Sequence, residues 1–134
     1  ALEPHECLTE IRFPIWPAER TSHGFHEVSI RDSDFALAAA AAQISLDAGG
    51  TCHRLHVALG GASPAPLRLT EVETALTGTT LDDTTINAET ARVAGLVEPQ
   101  GDVHADAAYR RRVARVMVER AILSARDNAR GGTA

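Results

Sequence analysis

Six histidines and two cysteines are the residues of this 134-residue chain whose types could hold a metal or attack a substrate. His53 and His56 stand three apart in a run that reads as a strand, so their rings leave opposite faces and cannot chelate together. His23 and His26 share that spacing and that outcome. His5 and His104 have no thiol or carboxylate at ligand spacing, so the histidines read as surface or partly buried side chains and no metal is expected. Cys7 and Cys52 each adjoin a strand-like run, where a thiol serves as a small hydrophobe. There is no G-x-S-x-G elbow, and Ser63 is a loop serine. Gly60-Gly61 would let backbone amides approach a phosphate or a ring, but it would equally make a bulge or a tight strand exit. Neither G-x-G-x-x-G nor G-x-x-x-x-G-K-[ST] occurs. Arg110, Arg111, Arg112 and Arg115 read as the solvated face of a helix, with an acidic partner as the second reading. No self-contained active site follows from these residues.

The elements that must position them run in two blocks, strands first and helices second, which argues for an α+β fold. The expected sheet is four-stranded and antiparallel, with strands at about 7–14, 23–30, 34–46 and 51–60. Leu8 to Phe13 alternates and stops at Pro14, and Pro14, Pro17 and Ala18 to Ser22 read as a loop. Phe25 is out of phase with Val28 and Ile30, which predicts an irregularity in that strand. Three helices are expected at about 70–77, 84–97 and 106–127. Thr70 and Glu73 form a capping box, and Gly78 is the expected stop. Ile86, Val93, Ala94 and Val97 line the second helix, and Tyr109, Val113, Val116, Met117 and Ala121 line the third. Residues 1–130 make one domain and 131–134 a frayed tail.

Between the blocks lies a conflict. Ala38 to Ala42 is the best helix-forming sequence available, yet it runs into the alternating Gln43-Ile44-Ser45-Leu46 and the turn Asp47-Ala48-Gly49-Gly50. Alternation resumes toward Leu59, and two such runs around Gly-Gly are a hairpin signature. The alanines therefore read as a central strand whose small side chains let helices lie close.

The totals exclude several classes. A net charge of −5 argues against nucleic acid and against an anionic membrane surface. No apolar run approaches the roughly 20 residues that span a bilayer, and no charged-then-apolar leader is visible. Two thiols outside metal or redox spacing fit a reducing, cytoplasmic setting.

Four segments together resemble one family. They are Glu6 to Pro14; Gly24 to Val28 with Arg31-Asp32-Ser33-Asp34-Phe35-Ala36; Leu59-Gly60-Gly61 to Pro66-Leu67-Arg68 with Glu73, Leu76 and Gly78; and Asp102 to Arg110. In that order they look like the C-terminal domain of the flavoprotein (medium) subunit of molybdenum hydroxylases, the carbon monoxide dehydrogenase and xanthine dehydrogenase family. The resemblance implies a domain that covers FAD and docks onto iron–sulfur and molybdenum subunits. FAD would be held mainly by a preceding FAD-binding domain that the chain does not contain, so the isolated chain is expected to bind none. The implied flavin-facing residues are His26, Arg31, Asp34, Gly60 and Gly61, with His26 at a position often occupied by Lys in the family. A second reading is a stand-alone domain that has lost flavin and works as a small-molecule enzyme or binding protein. Proton transfer would then fall to His26, His53 or His56 with Glu27, and self-association would cover the exposed face.

Overall fold

The computed structural model describes residues 2–16 and 20–131. Strands β1 (Thr21–Val28), β2 (Ala38–Leu46), β3 (Cys52–Gly60) and β4 (Leu67–Arg68) form one antiparallel sheet in chain order. Helices α1 (Thr70–Leu76), α2 (Asp83–Thr90), α3 (Val93–Leu96) and α4 (Ala107–Ala129) follow. The architecture is the expected α+β one, a four-stranded antiparallel sheet followed by helices, but its elements are drawn differently.

Cys7 to Pro14 is not a strand. Its alternation is real, but a strand also needs a neighbour's N–H and C=O groups, and among the described residues no segment pairs with it. The fourth strand is instead the short β4, paired through Ala58↔Arg68 and Leu59↔Leu67. Of the loop expected between Pro14 and Ser22, Thr21 and Ser22 belong to β1, and residues 17–19 lie outside the described residues. The β1 strand is regular through Phe25. Gly24, His26 and Val28 face the helices while Phe25 and Glu27 face away, and Ile30 has already left the strand. The second helix is two pieces. The Thr90 hydroxyl donates to Ile86 O and Asn87 O at its end, and Val93 restarts a turn that buries Val93 and Val97. Apart from Gly131, the expected tail lies outside the described residues.

The alanine run is the central strand. Ala38, Ala40, Ala42 and Ile44 face the helix layer, opposite Leu59, Val57 and Leu55 of β3. Helix α4 lies directly on β1 and β2. At Gly24 the approach is closest, because a Cβ there would stand 2.2 Å from Ala121 O and 2.8 Å from Ala125 N. Small side chains on two strands thus win over helix propensity, since they let backbone meet backbone.

Cys52 sits in this core, and burial pushes its thiol up to about 11, whereas Cys7 is exposed. Maleimide at neutral pH is therefore expected to label Cys7 rapidly and Cys52 only after unfolding. Mass spectrometry finding both thiols labelled at equal rates in the native protein would contradict this packing.

Candidate functional site

Two surfaces remain free of helices. One is the outer face of the sheet, whose cross-strand rows read His23–Gln43–His56, Phe25–Ala41–Ala58–Arg68 and Glu27–Ala39–Gly60. Ala41 and Ala58 floor a hollow of about 580 Å³ walled by Phe25, Gln43, His56 and Arg68. At its β3 side Trp16 is 7% exposed, with Arg54 stacked 4.1 Å above its ring and His56 edge-on at 4.7 Å. Burial, then the charge of Arg68, lowers the pKa of His56 and favours a neutral ring there.

The second surface is the end of the sheet where the β1–β2 and β3–β4 loops and the segment before α4 come together. The β1–β2 loop turns at Ser33, whose φ of 65° is left-handed, and closes with Asp34 N–H donating to Arg31 O. The Asp34 carboxylate then accepts the Phe35 N–H at 2.9 Å and Arg31 Nη2 at 3.3 Å. This short local network turns the Phe35 side chain outward, 96% exposed, with the Arg31 guanidinium also in solvent. Gly60 and Gly61 leave β3 at the same end. A Cβ on Gly61 would stand 3.0 Å from both Ala36 O and Leu37 O, so its job is close packing of its own chain. A Cβ on Gly60 would meet only Ala39 O, at 4.0 Å, so the space over this strand exit is open.

Arg110 joins these loops from below. It is 8% exposed; Nη1 donates to Leu37 O at 3.0 Å and Gly61 O at 3.4 Å, and Nη2 to Asp102 Oδ2 at 2.7 Å. The Asp102 carboxyl is held below its ordinary range by the His104 and Ala105 amides, with Arg110 adding to them. Arg110 was expected on a solvated helix face. It is buried because its stem passes over the core edge to reach carbonyls that only the folded loops bring together.

The sequence-derived site residues therefore separate. Arg31, Asp34, Gly60 and Gly61 gather at the loop end. His26 does not join them, because it faces the helix layer with Nε2 2.8 Å from the Ser124 hydroxyl. The acid–base group of the stand-alone reading does not assemble either. His53 sits exposed at the β2–β3 register irregularity, and His56 and Glu27 lie on the outer face four residues out of step. Four residues along a sheet is about 13 Å. Among the described residues no group of three or more His, Cys, Asp or Glu could hold a metal. No helix among the described residues is long and apolar enough to cross a membrane. Phe35 and Arg110 were missed as site residues. Both stand in segments that carry the family resemblance, Phe35 after Asp34 and Arg110 at the close of Asp102 to Arg110, and Phe35 is also a large aromatic inside a polar turn.

The model of the CO dehydrogenase flavoprotein C-terminal domain matches residues 23–125. This chain belongs to that family. As a flavoprotein C-terminal domain it is 33% identical over 132 residues to the carbon monoxide dehydrogenase medium chain of Afipia carboxidovorans, covering 97% of this chain and 44% of that one. It is 36% identical over 128 residues to the 6-hydroxypseudooxynicotine dehydrogenase complex subunit alpha of Paenarthrobacter nicotinovorans, covering 95% and 43%. Among solved structures, the reconstituted CO dehydrogenase from Oligotropha carboxidovorans matches with a TM-score of 0.87 at 32% identity, over 94% of this chain and 43% of that chain. The domain thus spans less than half the length of the relatives it matches.

Proposed function

We propose that the loop end of this domain closes over the isoalloxazine ring of an FAD held by a separate FAD-binding domain, within a molybdenum hydroxylase that also has iron–sulfur and molybdenum subunits. The observation that carries the reading is Phe35, a wholly exposed aromatic ring presented by a hydrogen-bonded turn beside the solvent-exposed, Asp34-paired guanidinium of Arg31 and an open Gly60 exit. Those groups suit one face and one edge of a flat, electron-poor ring. They do not suit the pyrophosphate, for which the sequence has no glycine-rich loop. The fit is therefore to the ring alone. When bound, FAD supplies the electron-carrying chemistry; the domain's own residues cover, orient and exclude water.

Arg31 would approach the ring edge, Asp34 would hold both Arg31 and the Phe35 amide, and Gly60 would leave room for the approach. His26, bonded to Ser124, would fix β1 on α4 behind the loop. Leu8, Ile11, Phe13 and Ile15 are exposed, an apolar surface of the kind a neighbouring domain or subunit covers. The names of the relatives, a medium chain and a complex subunit, also agree with an assembly.

The test is Phe35→Ala in the chain co-produced with the FAD-holding domain. Loss of one stacked ring is expected to weaken FAD binding by about 1 kcal/mol, roughly fivefold in Kd, and to raise flavin fluorescence. Unchanged affinity and fluorescence would overturn the reading.

A further inference from the structure

We infer that Arg110 is a positioning residue: its buried guanidinium fixes the neck of the β1–β2 loop and so sets where Phe35 points. The consequence for flavin rests on the function proposed above. Among the described residues, the hydrogen bonds of 29–36 stay within that loop, from Ser29 to Arg31 O, Arg31 to Asp34, Asp34 to Arg31 O and Phe35 to Asp34. The tip is therefore one small unit whose orientation is decided where it joins the sheet. That joint is Leu37, whose N–H donates to Val28 O at 2.7 Å and whose C=O accepts from Arg110. Gly61, packed against Ala36 O and Leu37 O, removes the remaining slack.

A need for stability does not account for an arginine here. Its Nε is buried without a partner, a donor left unpaired that an apolar side chain of similar length would avoid. What a methionine could not do is bond three loops at once through a rigid planar fork, at Leu37, Gly61 and Asp102. Asp102 is itself tied down, accepting the amides of His104 and Ala105 on its other oxygen. The arrangement supports an exposed contact loop from a buried second layer.

The experiment compares Arg110→Met, Arg110→Lys and Asp102→Asn in the chain co-produced with the FAD-holding domain. Hydrogen exchange and flavin fluorescence are read on the same samples. Arg110→Met is expected to speed amide exchange at Leu37 and across 29–37 while leaving β3 and the middle of α4 unchanged. It is also expected to weaken FAD binding by about threefold, less than the loss of the ring in Phe35→Ala, the effect of leaving a side chain to be ordered on binding. Arg110→Lys should recover part of both effects, and Asp102→Asn, at a more exposed position, should show them more weakly. Exchange unaltered at 29–37, or raised evenly over the whole fold, overturns the inference. So does a loosened loop with wild-type flavin behaviour when Phe35→Ala alters it. A loosened loop with Phe35→Ala silent keeps the clamp and overturns the flavin reading instead.

Discussion

Replacing Gly24 with alanine is expected to destabilise the domain by about 3 kcal/mol or more, a fall of roughly 10 °C in Tm. The added methyl would stand 2.2 Å from Ala121 O, 2.8 Å from Ala125 N and 2.9 Å from Ser124 Cβ. Two of these three are backbone atoms of α4, so no rotamer change relieves the clash. The helix would have to lift off β1, losing the contacts of Ala121 and Ala125 and the His26–Ser124 bond together. Ala41→Gly, on the outer face of the next strand, serves as the comparison, because it changes the same group without touching α4. Thermal unfolding that puts Gly24→Ala within about 2 °C of wild type would show that this helix–sheet contact is looser than described.

The second large effect is at Glu73. Its carboxylate accepts the buried Val57 N–H at 2.9 Å and holds Arg68 through Nε and Nη2. Strand β4 is only two residues long; beyond it Leu69 still donates its N–H to Val57 O, but its carbonyl accepts the Glu73 N–H of α1, and the Glu73 side chain takes the Val57 N–H instead. Glu73→Ala leaves that N–H buried and unpaired, and should cost about 2 kcal/mol. Burial by itself would raise the pKa of Glu73. The Arg68 hydrogen bonds, the Val57 amide and the positive charge of Arg68 outweigh it and hold the carboxyl below its ordinary value. With a folded pKa below the unfolded one, this stabilisation is present above the unfolded pKa of about 4.5 and is lost as pH falls through the depressed folded value. Glu73→Gln keeps an acceptor but not the charge, so urea midpoints for wild type and Glu73→Gln should differ most near neutrality and converge in acid. Curves that run parallel down to strongly acidic pH would rule the linkage out.

Glu73 also shows why part of the fold was not legible. Thr70 to Glu73 spells a capping box, yet the helix begins after Leu69 with no side-chain cap. The competing bond is long-range: a buried strand amide and Arg68 bind the carboxylate more strongly than an exposed helix start could. The first expected strand failed for the same reason in reverse, since Cys7 to Pro14 has the pattern but no partner strand among the described residues. Capping by Asp82 and Asp106 is local and formed as such side chains predict.

The candidate site divides along the same line. Arg31, Asp34, Gly60 and Gly61 are picked out by the family resemblance, whose motifs here are short runs of neighbouring residues at a turn and a strand exit. His26 could be picked out only as a position, since alternation says that it opposes Phe25 but not which face the helices cover. Arg110 closes the Asp102 to Arg110 motif, but helical spacing does not say that it, rather than Arg111 or Arg112, turns inward.

What the sequence by itself determined was that strands precede helices, the Gly-Gly hairpin, the small residues of the central strand and the family's motifs. All of these depend on contacts within a few residues or on a periodicity that survives any environment. Only the tertiary structure decided which sheet face α4 covers, that Phe35 is presented to solvent, and that Glu73 and Arg110 serve distant backbone. Those outcomes depend on which unpaired backbone groups end up buried beside which charged side chain, and chain segments far apart in sequence set that only when they meet.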